Sequence, residues 1–194
     1  MASDTESHPF EPFLPEHAKV LFLGSFPPPP RRWSMEFYYP NFINDFWRIM
    51  GIVFFGEKDH FVDAGAKKFK LPEIISFCNE YGFAMFDTAT AVRRLKDNAS
   101  DKFLEVVEPT DVGSLLRRIP DCRAVVTTGE KATETMCAVF GIMPPPVGDY
   151  SLFDFEGREM QLWRMPSSSR AYPLPIQRKA DAYRRLFEEL GMNT

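Results

Sequence analysis

Val20 to Leu23 is continuously apolar and stops at Gly24-Ser25, the pattern of a central parallel strand covered on both faces. A helical spacing begins near Asp45, whose carboxylate is placed to cap it, with Phe46, Ile49 and Met50 facing inward. Leu71 to Tyr81 repeats that spacing through Ile74, Ile75, Cys78 and Tyr81, with Pro72 in the first turn and Gly82 as the stop. Phe83 to Phe86 reads as a second strand ending at Asp87-Thr88, and Asp111 caps a short helix to about Arg118. A third strand, Ala124 to Thr127, ends at Thr128-Gly129. It precedes a helix from Glu130 to Phe140 that buries Ala132, Met136, Val139 and Phe140. Tyr150 to Phe155 and Arg158 to Met165 are spaced as a hairpin feeding the last strand. Ile176, Ala180, Tyr183, Phe187 and Leu190 then form the single apolar stripe of a final helix.

Three stretches fall outside this alternation. Met1 to His17 is polar and interrupted by Pro9, Pro12 and Pro15, which break any helix or strand, so it reads as an arm lying on the domain or disordered. Ile52 to Lys70 reads as loop with a short helix, and Thr90 to Thr110 as a long, charged, irregular insertion. Strand and helix alternate about four times, which predicts one α/β domain over 18–194 with a mainly parallel, four-stranded sheet, preceded by the arm 1–17. In such sheets the ligand crevice lies beyond the carboxyl ends of the strands. Here those ends are Gly24-Ser25, Asp87-Thr88, Thr128-Gly129 and Pro166-Ser167-Ser168-Ser169.

Composition narrows the function classes. A chain of 194 residues with net charge −4 is long enough for a substantial core and is not a globally basic nucleic-acid binder. Local basic clusters remain at Arg31-Arg32, at Arg93-Arg94 with Lys96, and at Arg170 with Arg178-Lys179. Cys78, Cys122 and Cys137 are odd in number and set among apolar residues, which predicts reduced, buried thiols rather than a disulfide framework. No histidine or cysteine pair has metal-ligand spacing, so no metal and no cofactor is expected. The chain carries no membrane-length apolar run and no signal-peptide pattern, and the expectation is a soluble, cytoplasmic protein without an obligate protein partner.

Most of the candidate chemistry lies in Ala18 to Trp47. Pro27 to Pro30 force the chain out of the sheet as a stiff loop with an exposed tip. That loop carries Arg31, Arg32, Trp33, Tyr38, Tyr39, Asn41 and Asn44. No histidine is expected near a strand end, so a catalytic triad is not predicted, and neither a dinucleotide fingerprint nor a Walker loop is present. Asp87, Asn41 and Asn44 with Phe26, Tyr38 and Tyr39 suit a planar heterocycle, which aromatic faces stack while amides and an acid read its edge. Each residue also has a plain structural reading. Asp87 can be a turn residue, Asn44 a helix cap, and Tyr38-Tyr39 the edge of the core.

Gly24-Ser25-Phe26-Pro27, the proline loop, Tyr38-Tyr39 and Asn44-Asp45-Phe46-Trp47, followed much later by Met165-Pro166-Ser167-Ser168-Ser169, resemble the uracil-DNA glycosylase superfamily. The resemblance is closest to the hypoxanthine-DNA glycosylase (family 6) type and extends to mismatch-specific glycosylases. It implies a three-layer α/β/α sandwich and base-excision repair of double- or single-stranded DNA containing a damaged base, which is flipped out of the helix. By position, it implies that Tyr39 stacks the base, that Asn44 is the asparagine associated with catalysis, and that Asp87 reads the base edge. It further implies that Ser167, Ser168 and Ser169 grip the backbone. Gly24, Ser25 and Phe26 complete the base pocket, with Arg31 and Arg170 as phosphate contacts.

The chain departs from the superfamily pattern at four places. Phe26 stands where an acid or amide commonly positions water, and Met165 stands where a histidine or asparagine often begins the last motif. Phe42-Ile43 replace a Pro-x dipeptide, and Arg170-Ala171-Tyr172 replace a Pro-Ala-Asn type run. Three activities therefore stay open: excision of hypoxanthine or uracil from DNA, cleavage of free nucleosides or nucleotides, and binding of damaged or single-stranded DNA without cleavage. An α/β scaffold whose strand ends are only turns is the fourth reading. Tyr172 or Leu174 is placed to act as a wedge in the vacated base stack.

Overall fold

The computed structural model describes residues 4–96 and 100–194. Met1 to Ser3 of the arm and Asp97 to Ala99 of the charged insertion lie outside the described residues. In chain order the elements are β1 (Thr5–Ser7), β2 (Val20–Gly24), α1 (Phe46–Phe55), β3 (Val62–Asp63), β4 (Lys68–Phe69), α2 (Leu71–Tyr81), β5 (Phe83–Asp87), β6 (Ala89–Arg94), β7 (Leu104–Pro109), α3 (Val112–Arg118), β8 (Ala124–Thr128), α4 (Glu130–Phe140), β9 (Asp149–Phe155), β10 (Arg158–Met165) and α5 (Ile176–Glu189). Short 3-10 turns at Pro30–Arg32 and Asp101–Phe103 complete the set.

The central sheet runs β5-β2-β8-β10-β9. Its first four strands are parallel, in register Val20↔Phe83, Val20↔Ala124 and Gln161↔Ala124. The fifth, β9, is antiparallel and turns the expected four-stranded sheet into one of five. β2, β5 and β8 are buried along their whole length, including the polar residues Asp87, Thr127 and Thr128 at the ends of β5 and β8. Phe22 and Phe83 receive rings from three helices: Phe46 and Phe54 of α1, Phe77 of α2 and Phe187 of α5. Phe140 of α4 packs instead on Phe153 and Phe155 of β9. Val139 of α4, expected to be buried, is exposed.

Three stretches differ from the sequence reading. Thr90 to Thr110 is not irregular: β6 and β7 form an antiparallel hairpin, and β1 joins it to make a second, three-stranded sheet. Its charged residues are what obscured it, since Arg93 pairs with Glu105 and Arg94 with Glu6 across neighbouring strands. The arm, expected to hold no strand, contributes β1, and Phe13 exchanges two backbone hydrogen bonds with Met85 at the β5 edge (3.0 and 2.8 Å). Of Ile52 to Lys70, Ile52 to Phe55 form the last turn of α1, and the rest carries the small β3–β4 hairpin instead of a separate short helix.

Candidate active site

The carboxyl ends of β2, β5, β8 and β10 open onto one cleft of about 1280 Å³. Among the described residues its lining carries six cationic side chains, including Arg32, Arg94, Lys131 and Arg170, against four acidic ones, so it is locally positive on a chain of net charge −4. Gly24, Ser25, Phe26, Tyr39, Asn44, Asp87, Ser167, Ser168, Ser169 and Arg170 all line it. Of the site residues read from the sequence, Arg31 is the one outside this lining. It stands on the exposed Pro30–Arg32 turn, and its neighbour Arg32 faces the cleft instead.

The loop after β2 is less exposed than expected. Ser25 and Phe26 are buried and so is Pro27, while exposure begins at Pro30. Trp33 folds the loop back by donating its indole N–H to the Pro28 carbonyl (2.6 Å) and bridging to Asn41. The chain then kinks at Tyr39, which has φ of 54°, a conformation that costs a non-glycine residue energy and gathers at functional sites. Both tyrosines line the cleft, but Tyr38 is the more deeply buried and donates to the Glu11 carbonyl (2.7 Å). One face of the Tyr39 ring lies on Phe46 at 3.8 Å and its hydroxyl meets Thr128 Oγ1 at 2.9 Å. Burial and the neighbouring Tyr183 push its phenol well above the ordinary value, and the Thr128 hydrogen bond opposes them.

Asp87 is held by a histidine. Its Oδ2 accepts from His8 Nε2 at 2.8 Å across 79 residues of sequence, and both side chains are almost wholly buried. His8 is enclosed by Phe26, Tyr38 and Phe86 at ring distances of 5.2, 6.2 and 4.6 Å. Its Nδ1 meets both the N–H (3.1 Å) and the carbonyl (2.9 Å) of Phe10, so it accepts from the first when the ring is neutral and donates to the second when protonated. A histidine at a strand end was not expected. It arrives on the arm, which β1 fastens to β6, and nothing local in Glu6 to Phe10 signals a partner so distant in sequence. The other Asp87 oxygen lies over Gly24, where a Cβ would stand 2.5 Å from Oδ1 and 3.7 Å from the Tyr39 hydroxyl. Glycine there lets the carboxyl lie across β2.

At the start of α1 the cap expected of Asp45 falls to Asn44. Asn44 Oδ1 accepts the Phe46 N–H (2.9 Å), while the Asp45 side chain caps nothing in the helix. Asp45 instead anchors the serine turn: its N–H donates to the Ser168 carbonyl (2.9 Å), and its carboxylate pairs with Arg170 (3.3 Å) and with buried Lys179 (3.5 Å). Lys179 donates in turn to the Ser169 carbonyl (2.8 Å). Burial lowers the Lys179 ammonium from its ordinary value, and Asp45 opposes that.

A further acid was missed. Asp101 begins the 3-10 turn between β6 and β7 and lines the cleft, as does Ser25. Burial raises its carboxyl above the usual aspartate range, and Asp87 pushes it further up. Its only signal in the sequence was its place in an insertion on the same edge as the first loop. Phe26 contributes a wall: its ring lies between His8 and the Arg94 guanidinium, which is 5.7 Å from the ring centre.

No protein-family model matches the chain, and no curated protein matches it in sequence. Its fold recurs among solved structures, of which 34 chains match. One is a solution NMR structure from Methanosarcina acetivorans named "putative Uracil DNA glycosylase"; it is 21% identical, covers 95% of this chain and 98% of that one, and has a TM-score of 0.62. At that identity the likeness establishes the mixed α/β fold with its mostly parallel central sheet. Among the described residues no helix is long and apolar enough to cross a membrane.

Proposed function

We propose that the protein is a DNA glycosylase that hydrolyses the N-glycosidic bond of a deaminated base, hypoxanthine or uracil, flipped out of DNA. The observation that carries this reading is the convergence in one cleft of a ring backed on one face, a carboxylate held by a histidine and an amide, with cations and a serine turn around them. Tyr39 offers the base a stacking surface that Phe46 keeps rigid. Asp87 accepts an N–H from the base edge, such as hypoxanthine N1–H or uracil N3–H, and His8 fixes the orientation in which it does so.

Asn44 has its oxygen committed to Phe46, so it acts through its NH₂, as a donor to water or to a base carbonyl. Backbone N–H groups at Ser25 and Phe26 stabilise the negative charge that develops on the departing base. The Ser167 to Ser169 turn, Arg32 and Arg170 hold phosphates, which makes binding salt-sensitive on an acidic protein. Tyr172, exposed on the rim, fills the vacated stack.

The test incubates the protein with duplexes containing hypoxanthine, uracil or xanthine and looks for alkali-labile abasic sites. Product from at least one duplex, and none from undamaged DNA, is the expected result. A second reading, binding without cleavage, is favoured by Phe26, whose enclosed ring brings neither carboxylate nor amide to its place in the cleft. Tight binding of a damaged duplex with no abasic product would establish that reading instead.

A further inference from the structure

Two cations share the carboxylate of Asp45, and they differ in how free they are to leave it. Lys179 of α5 is 1% exposed and holds Oδ2 at 3.5 Å, while Arg170 is 51% exposed and holds Oδ1 at 3.3 Å. Because they take different oxygens, the Arg170 contact can open without disturbing that of Lys179. The Arg170 Nε is 3.4 Å from Oδ1, and both guanidinium contacts are longer than the roughly 2.7–2.9 Å of a tight charge-assisted hydrogen bond. Lys179 also donates to the Ser169 carbonyl at 2.8 Å, and Asp45 donates its N–H to the Ser168 carbonyl at 2.9 Å. The backbone leading into Arg170 is therefore held while its side chain, which lines the cleft, is free to move.

We propose that Lys179 is a positioning residue: as the permanent counter-ion of Asp45, it lets the Arg170 guanidinium leave that carboxylate for a DNA phosphate. The inference rests on reading the cleft as a DNA site. Asp45 is only 8% exposed, and a buried carboxylate stripped of its last partner is strongly destabilised. With Lys179 in place, the departure of Arg170 leaves an ion pair behind. Without Lys179 the same departure leaves a bare buried charge, so Asp45 retains Arg170. One carboxylate between two cations also gives the cluster one surplus positive charge to offer a phosphate. Lys179 lies too deep to touch DNA itself, and its effect on binding passes through Arg170.

The experiment measures affinity for duplexes carrying one 2′-fluorinated hypoxanthine or uracil nucleotide, whose glycosidic bond resists cleavage, over roughly 50–200 mM salt, with Tm recorded for each variant. Arg170→Ala should weaken binding and reduce the slope of log affinity against log salt by about 0.9, the share of one phosphate contact. Lys179→Met removes no exposed charge, yet should weaken binding about fivefold and reduce the slope by the same amount. Adding Asp45→Asn to Lys179→Met removes the carboxylate that retains Arg170. The double variant should recover the wild-type slope and bind within about twofold of wild type. Lys179→Met with wild-type slope and affinity would overturn the inference and leave the DNA reading standing. Weakened binding that Asp45→Asn does not repair would show a purely structural lysine and overturn it as well. If Lys179→Met does not fold, Arg170→Ala decides: a slope reduced by about 0.9 supports the exchange, and an unchanged slope overturns it. A wild type that binds none of these duplexes overturns the DNA reading together with this one.

Discussion

Replacing His8 with alanine should loosen the cleft from a position far away in sequence. The imidazole is almost wholly buried, hydrogen-bonded to Asp87 at 2.8 Å and surrounded by three aromatic rings. A hydrogen bond to a charged group contributes about 1.5–3 kcal/mol, and lost aromatic contact adds about 1 kcal/mol. The sum is a destabilisation of about 3 kcal/mol, or a fall in Tm of roughly 6–12 °C for a chain of this size.

Thermal and denaturant unfolding of the wild type, His8→Ala, Asp87→Ala and the double variant would measure the pair directly. The cycle should return a coupling of about 2 kcal/mol, since most of the loss in each single variant is the other's unpaired group. His8→Gln, which keeps a donor, should recover part of the stability and of any excision activity. Removing residues 1–9 should resemble His8→Ala rather than leave the cleft intact. Additive single variants, with coupling below about 0.5 kcal/mol, would show that the arm does not hold Asp87 and would refute the reasoning.

Two further outcomes follow from close packing and burial. Gly24→Ala places a methyl where Asp87 Oδ1 lies, so the carboxylate must turn away from His8. Excision should fall about tenfold or more, matching a loss of about 1.4 kcal/mol, and unchanged kinetics would contradict the arrangement. The buried thiol of Cys122 is pushed up to about 12 from 9.0, and that of Cys78 also rises, both chiefly by burial. Above pH 9 the unfolded chain releases these protons while the folded chain keeps them. Stability should therefore drop by about 1.4 kcal/mol per pH unit for each thiol between pH 9 and 11. Denaturant unfolding of Cys122→Ala over that range should be flatter by one such slope, and an equal slope would refute the assignment.

The local chemistry of the chain determined its elements. α2 and α4 occupy the residues that spacing and end signals predicted, Leu71–Tyr81 and Glu130–Phe140, because the left-handed glycines Gly82 and Gly141 stop them within a single turn. Asp111 caps α3 as predicted, its carboxylate accepting the Ser114 N–H left without a partner at the helix start. The positions of Gly24, Tyr39, Asn44, Asp87 and the serine turn at one edge followed from the alternation of strand and helix, since parallel strands all present their carboxyl ends to the same side.

What tertiary structure alone decided are the partners. His8 meets Asp87, and Asp45 leaves its helix to hold Arg170 and Lys179. The arm and the β6–β7 hairpin are too polar to declare themselves by hydrophobic period, and they become ordered strands by pairing with each other. A buried charge takes its partner from whatever the fold brings within about 3 Å, and separation along the chain leaves no trace of that choice in local sequence.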